Sequence, residues 1–332
     1  MSEFTMNTFA VSLLTVSLLA GCGGGGGDSA PSDIVDNPST GADDTPPVTG
    51  GNGISDSNAD FVAAAALFGV SQGLIASTTP DFPIEVSDAP AKTLHTIVDA
   101  APCGFSDYGA GGTMSVIFDD ADDDQQLSPP DTFTTAFDNC KFISNPYTMD
   151  GAMIITNGSI TGNPVANVAP WTMSGTLTFV NYGSSAPNET VVMNGKLDFD
   201  AASADGTTQT SQATSSDVLV VFNNAVSAQY DALKTTVTVG PVAGINTSSA
   251  TSAGKARITG VGEVTLSTLS PWVYQGSSEY PNQGSIQLVG ANGASVIVKA
   301  INNQTVELQI DSNGDGQADS VRERAWSALL EP

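Results

Sequence analysis

The chain has 332 residues with 35 acidic and 9 basic side chains, so its formal net charge is −26. A surface this acidic repels the phosphate backbone of nucleic acids and the headgroups of anionic lipids, so we exclude nucleic acid as a partner. Charged residues make up 13% of the chain, whereas Gly, Ser and Thr are abundant. This composition is typical of strands and turns, and it predicts a mainly β protein.

The N-terminal segment has the form of an export signal. An apolar run from Phe9 to Ala20 is too short for a membrane-spanning helix, which needs roughly 20 residues, and fits the core of a signal peptide. It ends in Leu19-Ala20-Gly21-Cys22, which resembles the lipobox of uncharacterised Gram-negative bacterial lipoproteins. The resemblance implies a signal peptide over residues 1–21, cleavage before Cys22 and acyl chains of the palmitate type on Cys22. Because no Asp follows Cys22, it also implies the outer membrane, facing the periplasm or the cell surface.

The residues before the apolar run depart from the lipoprotein pattern. Residues 1–8 contain no Lys or Arg, and they carry Glu3. The alternative is a chance apolar stretch that ends in a buried cysteine. The glycines from Gly23 to Gly27 argue against that alternative, because such a run continues neither a helix nor a core strand.

Residues 22–57 are predicted to form a disordered tether. They are mostly Gly, Asp, Ser, Pro, Asn and Thr, and they bury too little apolar surface to offset the entropy of ordering. A single β-rich domain is predicted over residues 58–332. It begins with an apolar helix that Asn58 or Asp60 caps and that ends near Ile75, and a second short helix is predicted over residues 92–99.

Apolar residues alternate along the chain from Gly112 onward, as they do in strands. Three segments share the pattern Met-x-Gly-x-apolar-x-apolar, and they begin at Met149, Met173 and Met193. This spacing fits a meander of hairpins, and a glycine repeated on the inward face indicates strong curvature. We therefore expect an antiparallel meander that forms a curved sheet, half-barrel, barrel or sandwich. Further strands are predicted over residues 113–118, 132–137, 218–222, 235–239, 256–265, 284–289, 295–300 and 305–310.

Cys103 and Cys140 are the cysteines that remain once Cys22 is lipidated. Export would place them in an oxidising compartment, where two leftover cysteines are expected to form a disulfide. A metal-binding or catalytic thiol is the weaker alternative, because the single histidine, His95, has no cluster of ligands near it in sequence.

The most acidic stretch of the chain resembles the 12-residue calcium loop of EF-hand and dockerin proteins. Its positions 1, 3, 5, 7, 9 and 12 would supply oxygen ligands, the kind that calcium prefers. The stretch departs from the pattern at position 6, where Gln125 replaces glycine, and at position 12, where Asp replaces Glu. The alternative is a solvated acidic turn between two strands. The implied ligands are Asp120, Asp122, Asp124, Gln126, Ser128 and Asp131.

A second acidic stretch near the C-terminus resembles the Asp-x-Asn-x-Asp-Gly calcium turn of many exported proteins. Here Gly316 occupies the position that permits the sharp turn. The twelfth position is Arg322, which cannot bind a cation, so Asp319 or Glu323 would have to replace it. A structural calcium ion is the cofactor that both stretches imply. The implied ligands of the second are Asp311, Asn313, Asp315, Gln317 and Asp319.

The sequence carries no motif of an established catalytic mechanism: it has no nucleophile elbow, phosphate-binding loop or HExxH. We therefore expect a non-catalytic lipoprotein that is anchored to the membrane by lipid and serves a structural, adhesive or partner-binding role toward a protein or a surface. The alternative is a carrier that holds a lipid or another hydrophobic ligand in the concave face of a half-barrel. A hydrolase with paired carboxylates is a third, weaker hypothesis.

Overall fold

The computed structural model describes residues 51, 53–77, 97–103, 111–121, 128–141, 148–164, 167–186, 189–223, 225–242, 244–276 and 278–330. Cys22 lies outside these residues, as do Asp122, Asp124 and Gln126 of the first acidic stretch. The described chain begins within the segment predicted to be a tether. In that part Ile54 is already buried, with 2% of its surface exposed.

Within the described ranges, fourteen strands form one antiparallel sheet in which each strand pairs with its neighbours in sequence, so the predicted β meander is confirmed. The first and last strands do not pair with each other, so the sheet is open. In the same part of the chain the sheet is accompanied by α1 (Ala59–Ser77), α2 (Trp326–Leu330) and a 3₁₀ turn (Ala291–Gly293). The strands are β1 (Ile97–Pro102), β2 (Thr113–Asp119), β3 (Thr132–Lys141), β4 (Thr148–Asn163), β5 (Val168–Ala186), β6 (Glu189–Ser203), β7 (Gln209–Phe222), β8 (Val226–Val242), β9 (Ile245–Ile258), β10 (Gly262–Gln275), β11 (Gln283–Val289), β12 (Ser295–Ala300), β13 (Thr305–Asp311) and β14 (Ser320–Ala325).

The helix predicted over residues 92–99 is wrong where the structure describes that segment. Ile97, Val98 and Asp99 belong to β1 and pair antiparallel with β2. Two β-branched residues in succession suit a strand that has a partner to pair with. The tertiary pairing with β2 thus overrides the local helical pattern.

A series of β-bulges crosses the sheet and bends it. The pairing register shifts between β3 and β4, between each successive pair from β4 to β7, and again between β8 and β9. At these places side chains replace the missing ladder bonds: the backbone N–H of Asn139 donates to Asp150 Oδ1, and that of Asn181 donates to Asn194 Oδ1, both at 2.8 Å. Because each bulge bends its strand and increases the local twist, the series curves the sheet into a trough.

Helix α1 fills this trough. It contacts β6 to β9 on one side and β12, β13 and α2 on the other, so the sheet wraps around it. Its side chains are apolar around the whole circumference, which is the pattern of a helix enclosed on all sides. Val62 is fully buried, and Phe61 and Phe68 both pack edge-on against Phe222 of β7. Small alanines elsewhere on α1 allow the strands to approach its backbone closely.

Ion pairs join the start of α1 to the edge strand β14. Asp60 Oδ1 lies 3.0 Å from Arg322 Nη2, and its Oδ2 lies 3.2 Å from Arg324 Nε. Asp56 pairs with Arg322 at 3.4 Å and also accepts a hydrogen bond from Ser320 Oγ. The two carboxylates therefore attach the N-terminal end of the helix to the free edge of the sheet.

Candidate functional site

The β2–β3 hairpin carries two of the predicted features, one at each end. Cys103 and Cys140 are joined by a disulfide with a Cα–Cα distance of 5.3 Å, at the open end of the hairpin. The first acidic stretch connects the strands at the other end, between Asp119 and Thr132. The strands that the sequence predicts on either side of the acidic stretch are therefore present, and the disulfide fastens the hairpin to the segment after β1.

The described ends of the first acidic stretch fold inward rather than into solvent. Asp120 is 3% exposed and Asp131 is fully buried. Both oxygens of Asp131 accept backbone hydrogen bonds, from the N–H of Ala121 at 2.9 Å and that of Ser128 at 2.7 Å. The twelfth residue of the stretch thus closes the loop on the first ones. Residues 122–127, which include three of the six implied ligands, lie outside the described part.

The second acidic stretch forms the turn between β13 and β14, and all five implied ligands are described. Asp311 is 6% exposed, and its two oxygens accept the N–H groups of Gly314 at 2.7 Å and Gly316 at 2.8 Å. Asp319 Oδ2 accepts both the N–H and the hydroxyl of Ser312, at 2.9 and 2.6 Å. Side-chain oxygens therefore bind the backbone of the turn and fix its shape.

Asn313 and Asp315 also direct a side-chain oxygen toward the backbone of this turn. Asn313 Oδ1 accepts the N–H of Asp315 at 2.8 Å, and Asp315 Oδ1 accepts the N–H of Gln317 at 2.8 Å. Hydrogen bonds from Ser312, first from its hydroxyl and then from its N–H, hold the pKa of Asp319 below its usual value. Asp319 thus stays ionised to lower pH than a free aspartate.

The donors of the second stretch fit calcium in kind. They are hard oxygens, and a carboxylate oxygen that accepts one N–H keeps a second lone pair for a cation. Within the described ranges, however, no three His, Cys, Asp or Glu side chains come close enough together to form a metal-binding group. The turn is held by its own hydrogen bonds, and its carboxylates are spread around it.

A small cavity lies between α1 and the strands beneath it. Its volume is about 10 Å³, and its walls include Gln72 together with Ser215, Tyr230 and Thr235. Gln72 is 1% exposed, and neither polar atom of its amide has a hydrogen-bond partner.

Sequence reasoning missed two groups of polar residues. Asp56 and Asp60 form ion pairs with arginines of β14 that lie more than 260 residues away in the sequence. Nothing local in the sequence indicates that pairing. Asn157 of β4 lies beside Asp131, and its Oδ1 is buried without a partner. The sequence does contain a signal for Asn157. It follows Ile155 by two residues, and alternation along a strand therefore predicts a polar side chain on the inward face.

None of the described helices is both long and apolar enough to span a bilayer. Comparisons with protein families, with curated proteins and with solved structures give no match for the chain. Function must therefore be argued from the residues themselves.

Proposed function

We propose that the chain is an exported bacterial lipoprotein, anchored in the outer membrane through lipid on Cys22. Its β domain then serves as a non-catalytic structural, adhesive or partner-binding module. The observation that carries this choice is the position of α1, which occupies the concave face of the sheet. The face that a carrier would offer to a ligand is covered by the chain's own helix.

The size of the cavity under α1 favours the structural module over the carrier. A pocket for a small hydrophobic molecule encloses roughly 300 Å³ or more. The cavity beside Gln72 measures about 10 Å³. A carrier would therefore have to displace α1, at the cost of exposing Val62, Phe68 and their buried neighbours to water.

Calcium belongs to this proposal as a structural ion. The net charge of −26 makes repulsion between carboxylates large, and a bound divalent cation reduces it. Extracellular calcium sites typically have dissociation constants of about 10⁻⁴ to 10⁻³ M, which suits an exported domain. The turn from Asp311 to Asp319 would supply oxygen ligands, and binding would raise stability by mass action.

The anchor is tested by expressing the full chain in a Gram-negative host, alongside the Cys22→Ser variant. We expect the wild-type chain in the membrane fraction, with an N-terminal peptide that begins at Cys22 and carries the mass of attached acyl groups. The Cys22→Ser chain should lack that mass. A Cys103→Ser, Cys140→Ser double variant is the matched control and should keep it. A wild-type protein that retains Met1 and carries no lipid contradicts the anchor.

The choice between module and carrier is tested by native mass spectrometry of the purified chain. A structural module should show the mass of the lipidated protein alone. A carrier should show an additional, non-covalent lipid that is lost on unfolding. Recovery of one such lipid per chain would contradict the proposed structural or partner-binding role and support the carrier.

A further inference from the structure

The inner face of β2, β3 and β4 changes from apolar to polar at one end. Phe118, Phe133 and Ile155 are buried and lie opposite one another on the three strands. Two residues away from these, toward the same end of the sheet, lie Asp120, Asp131 and Asn157, which are 3%, 0% and 2% exposed. Because side chains two apart share a face, these three polar groups form the next row of the same buried surface.

Hydrogen bonds hold this row together through Asp131. The backbone N–H of Asn157 donates to the carbonyl oxygen of Asp131 at 3.0 Å, and its side-chain Nδ2 donates to the same oxygen at 3.3 Å. The amide of Asn157 is thereby placed against Asp131. Neighbouring strands lie about 5 Å apart, so side chains in adjacent positions of the row are within reach of a shared ion.

One acceptor in the row has no donor. Asn157 Oδ1 is buried and has no hydrogen-bond partner. Among the described residues, the carboxylate of Asp131 accepts hydrogen bonds from two backbone N–H groups and forms no ion pair with a Lys or Arg. A buried carboxylate is costly unless a cation or strong donors compensate it, and an unpaired buried acceptor adds to that cost.

We propose that Asp120, Asp131 and Asn157 Oδ1 form a buried site for one calcium ion. Two carboxylates and an amide oxygen are hard ligands, and water would complete the six to eight that calcium takes. The ion would neutralise the carboxylates of Asp120 and Asp131, and it would give Asn157 Oδ1 its missing partner. This inference deepens the calcium-stabilised module proposed above. It places the site in the sheet, and it adds a ligand from β4 that the acidic stretch does not contain.

The test measures the melting temperature of the full-length, detergent-solubilised protein in EDTA, calcium or magnesium. We expect calcium at a hundredfold excess over its dissociation constant to raise the wild-type melting temperature by about 5–10 °C. Magnesium should act much less, because it demands a tighter octahedral site and sheds water reluctantly.

Variants of Asn157 give the proposal its sharpest readout. Asn157→Leu keeps the approximate shape and removes the oxygen, so calcium should bind at least about tenfold more weakly. In EDTA the same variant loses the unpaired amide oxygen and also the 3.3 Å hydrogen bond from Nδ2 to the carbonyl of Asp131, which keeps the backbone N–H of residue 157. Its melting temperature in EDTA should therefore stay close to that of wild type. Asn157→Asp keeps an oxygen ligand and should retain the calcium response.

The turn between β13 and β14 supplies the control. Asp315→Asn weakens any calcium site there and leaves β2 to β4 untouched, so it should retain most of the calcium response. An Asn157→Leu protein with the wild-type calcium dependence overturns the proposal. So does a wild-type protein whose melting temperature calcium leaves unchanged. The lipid on Cys22 is measured separately by mass, so failure of the anchor and failure of this site are distinguishable.

Discussion

Gly195 lies at the bulge between β6 and β7, and replacing it tests whether the bulges shape the sheet. Its φ is +115°, a value that side chains with a Cβ rarely adopt. The pairing register shifts between Asn194 and Lys196 at this point. A Cβ on residue 195 would overlap the backbone carbonyl oxygen of Asp217 on β7, so the two strands would have to separate.

The expected loss follows from these two effects. Forcing alanine into a left-handed backbone costs about 1–3 kcal/mol, and overpacking against a neighbouring strand costs about 1–3 kcal/mol more. Some relaxation of the bulge reduces the sum, so we expect Gly195→Ala to lower the free energy of unfolding by about 3 kcal/mol. For a domain of this size, that corresponds to a melting temperature lower by about 6–12 °C.

The measurement is the melting temperature, monitored by far-ultraviolet circular dichroism during heating, with the disulfide intact. Gly111→Ala is the matched control, because a Cβ there has no atom within 4 Å and its backbone is not left-handed. The control should change stability by less than about 0.5 kcal/mol. Equal melting temperatures for wild type, Gly195→Ala and Gly111→Ala would refute the reasoning, since the register shift would then place no demand on residue 195.

Two further predictions concern charge. Asp60→Asn removes the ion pairs of Asp60 with Arg322 and Arg324, and it removes a favourable negative charge at the start of α1. It should lower the free energy of unfolding by about 1 kcal/mol at low salt and by less at about 1 M salt. Glu323→Gln, on the exposed side of β14, should change it by almost nothing, and equal effects of the two variants would contradict a stabilising role for the ion pairs of Asp60. Burial raises the pKa of Tyr182 to about 12 and that of Tyr230 further above its usual value. Their neutral form therefore stabilises the fold below the ordinary phenol pKa of about 10, and that contribution is lost as pH rises toward 12. Phenolate absorbance of these tyrosines should appear together with loss of circular dichroism, and ionisation without unfolding would contradict their burial.

The three Met-x-Gly segments show how far a sequence pattern reaches. On β5 and β6 the pattern correctly predicts the inward face: Met173, Leu177, Met193 and Leu197 are all buried. The same pattern does not distinguish the roles of its glycines. Gly151 and Gly195 lie at bulges and have positive φ, whereas Gly175 does not have a positive φ and pairs in regular register with Phe199 of β6. The difference depends on register with the next strand, which local sequence does not encode.

The candidate calcium residues show a similar limit. The spacing of acidic residues identifies Asp120 and Asp131 as potential ligands because such spacing is a local property of one loop. It gives no indication that these side chains are buried, or that Asn157 lies beside them, since Asn157 is 26 residues from Asp131. The local pattern over residues 92–99 similarly favours a helix. Only the pairing with β2 makes residues 97–99 part of a strand.

The sequence by itself determined the class of the fold. Alternating apolar residues and frequent turns specify antiparallel hairpins, because side-chain direction in a strand reverses at every residue. Tertiary structure alone decided that the sheet stays open and that α1 fills it. Those outcomes depend on bulges matched between neighbouring strands, and on contacts such as that between Tyr230 Oη and the carbonyl of Ala65, 165 residues apart. The periodicity of apolar residues indicates which face of a strand is buried. Packing between segments distant in sequence determines which element covers that face.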